Sequence, residues 1–330
     1  MPFVAVSYRN DSEGKGAFFD HFTLRKMTGW STQIVVKPGT PIIALTNYMN
    51  YRAGYNYYGL PINNEVPLAE MDGANAAFIF LPGYSRDSDT NQPDFHKNRL
   101  NFEKELIRKA RNRGQPVLGV CAGSWTLWQA YGGSLKDVAD HNYGGAMPRL
   151  STSSAAICNN KMLHRIRPIE NTFLSAALKY KPGVSPNIQV NSVHWKAVNP
   201  DTLIPGSNVM ISALSVEDQT LAPKSRNGDI MHPDNCVEAF ETINGVPMVG
   251  VQWHPEAFNP DEPLAMTHQG LFKAIQAAGA TYINRRNLNN QFNQHWREFA
   301  VSEFSFFKTK NIVTSNDEDL VNDLSELKLE

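Results

Sequence analysis

The clearest indication of the fold is the segment Pro116-Val117-Leu118-Gly119-Val120-Cys121-Ala122-Gly123. Its apolar run predicts a buried strand that ends at Val120, and residues 122–131 predict a helix that begins directly afterwards. Cys121 is therefore expected on a tight turn between a strand and a helix. Such a turn needs small neighbours, because backbone passes close on both sides, and the glycines two places before and after Cys121 leave that room.

The rest of the chain repeats this alternation of short apolar runs and amphipathic stretches. The pattern predicts an α/β fold with a mostly parallel sheet, helices on its faces and a small β-meander late in the chain. Strands are predicted at residues 3–7, 34–36, 41–46, 76–81, 116–120, 209–214, 237–243 and 247–253, and helices at residues 18–29, 95–113, 122–131 and 264–278.

The position of Cys121 favours a nucleophile. A helix directs its N-terminal dipole and its free N–H groups at a sulfur placed just before it, which favours the thiolate. The N–H of Ala122 would then face an oxyanion formed at the attacked carbon. Taken alone, however, the pattern fits a buried structural cysteine equally well.

A second motif, His254-Pro255-Glu256, follows directly after the strand predicted at residues 247–253. Residues two apart in an extended segment point the same way, and proline disfavours helix for the residue before it. Glu256 is thus placed to orient the imidazole of His254. Because the carboxyl ends of parallel strands meet at one edge of a sheet, we expect nucleophile, base and carboxylate to meet there, which favours catalysis over the structural alternative.

A third element, Pro82-Gly83-Tyr84, ends the strand predicted at residues 76–81. Its backbone N–H groups would supply the second half of an oxyanion hole, with the N–H of Ala122 as the first. As an isolated Pro-Gly turn, it would be an ordinary loop.

Together these segments resemble the class I glutamine amidotransferase-like superfamily, and within it the γ-glutamyl hydrolases, especially the γ-glutamyl-γ-aminobutyrate hydrolase-like enzymes. The resemblance covers roughly residues 1–283 and includes the segment Val190-Asn191-Ser192-Val193-His194. It implies a flavodoxin-like three-layer sandwich. It also implies a cysteine-dependent hydrolase that cleaves a small-molecule γ-glutamyl amide through a thioester on Cys121, without a cofactor.

The resemblance assigns three sets of residues. The catalytic residues are Cys121, His254 and Glu256. The oxyanion donors are Gly83, Tyr84 and Ala122. The candidate substrate contacts are Ser192, His194 and Trp125. Three of these positions depart from the family pattern. Tyr84 stands where relatives carry a second glycine, and Trp125 stands where amidotransferases that use free glutamine carry Gln. Ala122 stands where relatives in the hydrolase branch often carry Arg.

Two other functions stay open at this point. A glutaminase that supplies ammonia to a partner synthetase would use the same acyl chemistry, although the chain shows no acceptor domain. A catalytically retired binding or regulatory protein on the same scaffold would use the C-terminal segment as its interaction element.

The order of the motifs predicts the domain organisation. Strands from both halves of the chain must meet at one site, so residues 1–285 are expected to form one hydrolase domain. The composition then changes, and residues 314–330 carry six acidic side chains and one Lys. Residues 286–330 are therefore predicted to be an extension, partly helical with a flexible acidic end.

Composition and residue spacing argue against several classes of protein and of binding site. With 31 Lys+Arg against 32 Asp+Glu, the net charge of −1 argues against a strongly basic nucleic-acid binder. No apolar run approaches the roughly 18–20 residues that span a bilayer. Three scattered cysteines indicate a reducing compartment, so the cytoplasm is expected. The histidines show no metal-ligand spacing and no phosphate loop is present, so no metal or nucleotide is predicted. A homodimer is expected because the branch often dimerises.

Overall fold

The computed structural model describes residues 2–9, 15–38, 40, 72–84, 93–137, 163–184, 188–191, 194, 196–216, 236–258 and 263–303. Four features of the sequence analysis lie outside the described residues: the strand predicted at residues 41–46, Cys158, Ser192 and the acidic end of the chain.

The described residues form strands and helices in alternation. The strands are β1 (Phe3–Ser7), β2 (Ser31–Val35), β3 (Phe78–Leu81), β4 (Val117–Val120), β5 (Ser134–Asp137), β6 (Leu163–Pro168), β7 (Ile188–Asn191), β8 (Lys196–Asn199), β9 (Val209–Val216), β10 (Val237–Thr242) and β11 (Met248–Val251). The helices are α1 (Lys15–Thr28), α2 (Pro93–Arg113), α3 (Ala122–Ala130), α4 (Phe173–Ala177) and α5 (Pro263–Glu303), and short 3₁₀ turns lie at Pro200–Thr202 and Pro255–Ala257.

One sheet carries the fold, with strand order β2-β1-β3-β4-β11-β10-β9-β6-β7. Its first five strands pair in parallel, in the 2-1-3-4-5 order of flavodoxin-like folds. From β11 onward the sheet continues antiparallel. The α/β prediction is therefore confirmed, and the predicted meander is β9-β10-β11. Strands β6 and β7 lengthen its antiparallel side, and they come from a region whose weak pattern predicted no strand.

Alternating side chains of the parallel strands pack into two hydrophobic cores, one on each face of the sheet. In β1, Val4 and Val6 belong to one core and Ala5 belongs to the other. The first core is covered by α1 and the first part of α5, through Leu24, Met27, Leu271, Phe272 and Ile275. The second is covered by α2 and α3, through Leu106, Ile107, Ala110, Trp125, Leu127 and Trp128. This two-sided burial explains why β3, β4 and β11 are continuously apolar, and it produces the three layers.

The last helix is longer than the sequence predicted. The expected helix ended at residue 278, before Gly279, whereas α5 runs from Pro263 to Glu303. A single glycine costs a helix only about 1 kcal/mol, and no proline follows to stop it. Polar pairs one turn apart, such as the hydrogen bond from Gln294 to Glu298, support the later turns.

Contacts within the chain fall into two units, Met1–Ile283 and Asn284–Glu330. The division into a hydrolase domain at residues 1–285 and an extension at residues 286–330 stays a prediction. Within the described part of the chain, no helix is both long and apolar enough to cross a membrane.

Candidate active site

The turn at Cys121 has the strained backbone of a nucleophile elbow. Cys121 lies between β4 and α3 with φ 51° and ψ −116°, a left-handed φ that a non-glycine residue adopts only at a cost of about 1–3 kcal/mol. Neighbouring hydrogen bonds hold it there: its N–H donates to the Val251 carbonyl at 2.8 Å, and its carbonyl accepts from the Ser124 hydroxyl at 2.6 Å. The geometry places the sulfur at the carboxyl end of β4, directly before a helix N-terminus.

The two glycines of the elbow are required by close backbone approach. A Cβ on Gly119 would lie 2.7 Å from the carbonyl oxygen of Gly123. A Cβ on Gly123 would lie 1.9 Å from the carbonyl oxygen of Leu81, at the end of β3. Any side chain at these two positions would push the elbow away from its neighbouring strand, so the sequence-based explanation of both glycines is confirmed.

His254 and Glu256 lie beside Cys121 because β4 and β11 are parallel neighbours in register, with Val120 opposite Val251. The imidazole Nδ1 of His254 lies 2.8 Å from Oε1 of Glu256, and a carboxylate can only accept this bond, so Nδ1 donates. The opposite side of the ring forms a hydrogen bond with the Cys121 side chain. The His254 side chain is 13% exposed and that of Glu256 is 1% exposed.

The electrostatics of this group favour a charged imidazole. Burial by itself would lower the pKa of His254, but the negative charges of Glu256 and Cys121, together with hydrogen bonds to both, outweigh it and raise the pKa to about 10. His254 is therefore protonated at neutral pH.

Gly83, one of the proposed oxyanion donors, lies beside Cys121 and His254. A Cβ on Gly83 would lie 3.2 Å from Cε1 of His254 and 3.6 Å from the Cys121 sulfur, so the backbone of Gly83 borders both groups. Among the hydrogen bonds of the described residues, none uses the N–H of Gly83 or of Ala122. Tyr84 is not one of the described residues with positive φ, so its bulky side chain does not strain this turn.

Two of the candidate substrate contacts lie in the described chain, and both are buried. Trp125 is 1% exposed and donates its indole N–H to Oε1 of Gln252 at 2.8 Å. His194 is 2% exposed and donates its Nδ1–H to the Lys196 carbonyl at 2.9 Å. Their contact with substrate stays a prediction. Within the described residues, no group of three or more His, Cys, Asp or Glu side chains is arranged to hold a metal.

The structure adds Asn191, which the sequence analysis quoted without assigning a role. Its buried side-chain amide donates to the His254 carbonyl at 3.0 Å and accepts from the His254 N–H at 2.8 Å. These two bonds hold the backbone of His254 from β7, on the far side of the antiparallel strands. The signal in the sequence was the amide side chain beside Ser192, but nothing in the sequence identified its partner.

Asn191→Ala is expected to lower the free energy of unfolding by about 2 kcal/mol, because it leaves two backbone groups of His254 unpaired. It is also expected to lower the catalytic rate at least about tenfold by loosening the position of His254 beside Cys121. Urea denaturation and steady-state kinetics measure the two effects.

A matched control is Asn208→Ala, because Asn208 makes the same two bonds to the backbone of Asn244 on an exposed turn. We expect this control to lose less than about 1 kcal/mol and to keep full activity. Equal activity in the two variants would show that Asn191 does not set the position of His254.

Known proteins are similar to this chain over the residues that form this site. The family model described as Peptidase C26 matches residues 82–256. The γ-glutamyl-γ-aminobutyrate hydrolase of Escherichia coli O157:H7 is 29% identical over 226 residues, which cover 63% of this chain and 74% of that protein. The PuuD γ-glutamyl-γ-aminobutyrate hydrolase of Escherichia coli K12 is 28% identical with the same coverage.

Among solved structures, the glutaminase domain of Trypanosoma brucei CTPS with bound acivicin matches 85% of this chain and 94% of that chain, at 14% identity and a TM-score of 0.49. The Peptidase C26 match carries more weight, because it extends from the turn at Pro82 to the carboxylate Glu256 and spans more than half of the chain. The chain belongs to the Peptidase C26 family.

Proposed function

We propose that this chain is a cysteine hydrolase that cleaves γ-glutamyl amide bonds through a γ-glutamyl thioester on Cys121. The observation that carries the proposal is the contact of Cys121 with His254 and of His254 with Glu256, at the carboxyl ends of two parallel strands. The names of the relatives supply the bond class, since both Escherichia coli proteins are γ-glutamyl-γ-aminobutyrate hydrolases.

Acylation begins with a protonated His254 beside the Cys121 sulfur. The Cys121 sulfur attacks the γ-carbonyl carbon, a C–S bond forms, and the carbonyl oxygen becomes an oxyanion. The N–H of Ala122 and an N–H from the turn at Gly83 stabilise that oxyanion. The tetrahedral intermediate then collapses, the C–N bond breaks, and the amine leaves with the proton held by His254.

Deacylation reverses the proton movement. The neutral imidazole of His254 takes a proton from water as the water oxygen attacks the thioester carbon. The C–S bond breaks, glutamate leaves, and the enzyme regains a protonated His254 beside the Cys121 thiolate. Glu256 holds Nδ1 throughout, which orients the ring and stabilises its charged form.

The test is a substrate panel with two readouts. The full chain is incubated with γ-glutamyl-γ-aminobutyrate, γ-glutamyl-p-nitroanilide and free glutamine, with α-glutamyl-p-nitroanilide as the matched control for the position of the bond. Amine release is followed, and intact mass is measured after acid quench. We expect turnover of γ-glutamyl compounds and a gain of one γ-glutamyl group in the intact mass.

The alternatives give different results. Turnover confined to glutamine and dependent on an added synthetase would favour a glutaminase. No turnover and no adduct with any γ-glutamyl compound would overturn the enzyme proposal and leave a binding role for this scaffold.

A further inference from the structure

The carbonyls of the turn beside Cys121, Pro82-Gly83-Tyr84, are held by two arginines from different parts of the chain. Arg99 on α2 donates from Nη2 to the Pro82 carbonyl at 2.8 Å. Arg9, two residues after β1, donates from Nη1 to the Gly83 carbonyl at 3.3 Å. The two arginines therefore bind two successive peptide groups of the same turn.

Peptide geometry gives these bonds a consequence. In a planar trans peptide, the C=O and the N–H point in opposite directions. A donor on the Pro82 carbonyl therefore fixes the direction of the Gly83 N–H, and a donor on the Gly83 carbonyl fixes that of the Tyr84 N–H. Both bonds also polarise their peptides, which strengthens each N–H as a donor.

Both arginines are themselves held in place. Arg99 donates from Nε to Oε1 of Glu103 at 2.8 Å, and the two side chains are 4% and 0% exposed. Oε1 of Glu103 also accepts from the Ser7 hydroxyl at 2.7 Å, which ties the pair to the end of β1. A buried guanidinium fixed this way has no freedom to release the Pro82 carbonyl without breaking a buried ion pair.

Arg9 is fixed in the same manner. Its Nε and Nη2 donate to the two carboxylate oxygens of Asp20 at 2.8 and 2.9 Å, which leaves Nη1 for the Gly83 carbonyl. Burial raises the pKa of Asp20 to about 7 against the opposing effect of Arg9, so the pair is charge-balanced above neutral pH. The arginines thus supply direction to the turn while adding little net charge to the site.

The side chain of Tyr84 is part of the same arrangement. The Arg99 guanidinium carbon lies 5.5 Å from the centre of the Tyr84 ring, and the ring packs edge-on against Trp125 at 5.8 Å. A cation over one aromatic ring and an edge contact with another restrict where the Tyr84 backbone can lie. This contact gives a structural role to the residue that replaces the second glycine of the family pattern.

We propose that Arg9 and Arg99 are positioning residues for acyl transfer, because they aim the N–H groups of Gly83 and Tyr84 at the oxyanion. The inference rests on the proposed function, since it needs an acyl transfer to act on. It goes beyond that function by assigning the rigidity of the oxyanion turn to two side chains that do not touch substrate.

The test uses Arg99→Lys and Arg9→Lys, each in the full chain and assayed above neutral pH. Lysine keeps the positive charge beside Glu103 or Asp20, but one ammonium cannot occupy the positions of two or three guanidinium nitrogens. We expect kcat for a γ-glutamyl amide to fall about tenfold or more, below the 10²–10³-fold cost of deleting an oxyanion donor outright. We expect KM to stay nearly constant, because the oxyanion forms only in the transition state.

The second readout is the rate at which iodoacetamide alkylates Cys121. Alkylation uses the same sulfur but forms no oxyanion, so we expect it to proceed at the wild-type rate in both variants. The matched control is Arg108→Lys, which replaces an arginine paired with Glu105 on the exposed side of the same helix. This control is expected to keep both rates.

Each result either supports or overturns the positioning role of an arginine. A lower kcat with unchanged alkylation supports the proposal for that arginine. An unchanged kcat in both variants, or an equal fall of kcat and of the alkylation rate, overturns it. If the buried Arg99 variant does not fold, the part-exposed Arg9 variant decides the question. Absence of acylation in the wild-type chain is the separate result that would overturn the proposed function itself.

Discussion

Replacing Cys121 by alanine is expected to lower turnover of γ-glutamyl amides by about 10⁴-fold or more, the range found when the nucleophile of a catalytic triad is removed. The physical reason is that no other group at the site can form the C–S bond on which the proposed mechanism depends. The acyl-enzyme adduct should also disappear from the intact mass spectrum, and it should be absent in Cys121→Ser as well. The residual rate is measured with an amount of enzyme large enough to resolve four decades.

The matched control for this variant is Cys236→Ala. Cys236 is also buried, but burial together with the charge of Glu238 raises the pKa of its thiol to about 12, so it stays protonated and unreactive. We expect the control to keep its activity and its adduct. Full turnover in Cys121→Ala, or loss of turnover in Cys236→Ala alone, would contradict the assignment of the nucleophile.

Gly123→Ala is expected to have the largest effect on stability, a loss of about 3 kcal/mol or more. The added methyl would lie 1.9 Å from the carbonyl oxygen of Leu81, which is backbone and has no freedom to rotate away. Either α3 or β3 must move, and β3 leads directly into the turn at Gly83. We therefore also expect lower kcat per folded molecule. Urea denaturation gives the first quantity, and kinetics normalised by alkylation of Cys121 give the second.

Gly183→Ala separates steric overlap from the general cost of replacing a glycine. Gly183 has φ 69° and open space around its Cα, so the substitution costs only backbone strain, about 1 kcal/mol. It lies far along the chain from the elbow and is expected to leave activity unchanged. If the two variants lost the same stability, close packing between the elbow and β3 would not be the reason for Gly123.

Much of this site is local in sequence and could be predicted. The elbow at Cys121 needs small residues within two positions. The pairing of His254 with Glu256 was also predicted, but the extended segment expected there is wrong, because Pro255–Ala257 forms a 3₁₀ turn that brings the carboxylate to the imidazole. Strands β1, β3, β4 and β11 are largely apolar because both of their faces are buried, so they left clear patterns. The sequence does not predict β5, β6, β7 or β8, because short antiparallel strands show only weak periodicity.

The class of chemistry could be inferred from the sequence, because the proposed nucleophile, base and carboxylate lie in short motifs at strand ends. The hydrogen bonds that hold these motifs in place are visible only in the folded chain. Asn191 forms a hydrogen bond with the backbone of His254, which is 63 residues away in the sequence. Arg99 and Arg9 donate to carbonyls of the turn at Gly83 that are 17 and 74 residues away. These bonds are made to backbone atoms, which every residue carries. The residue type at the bonded position therefore gives no sign in the sequence that such a bond exists.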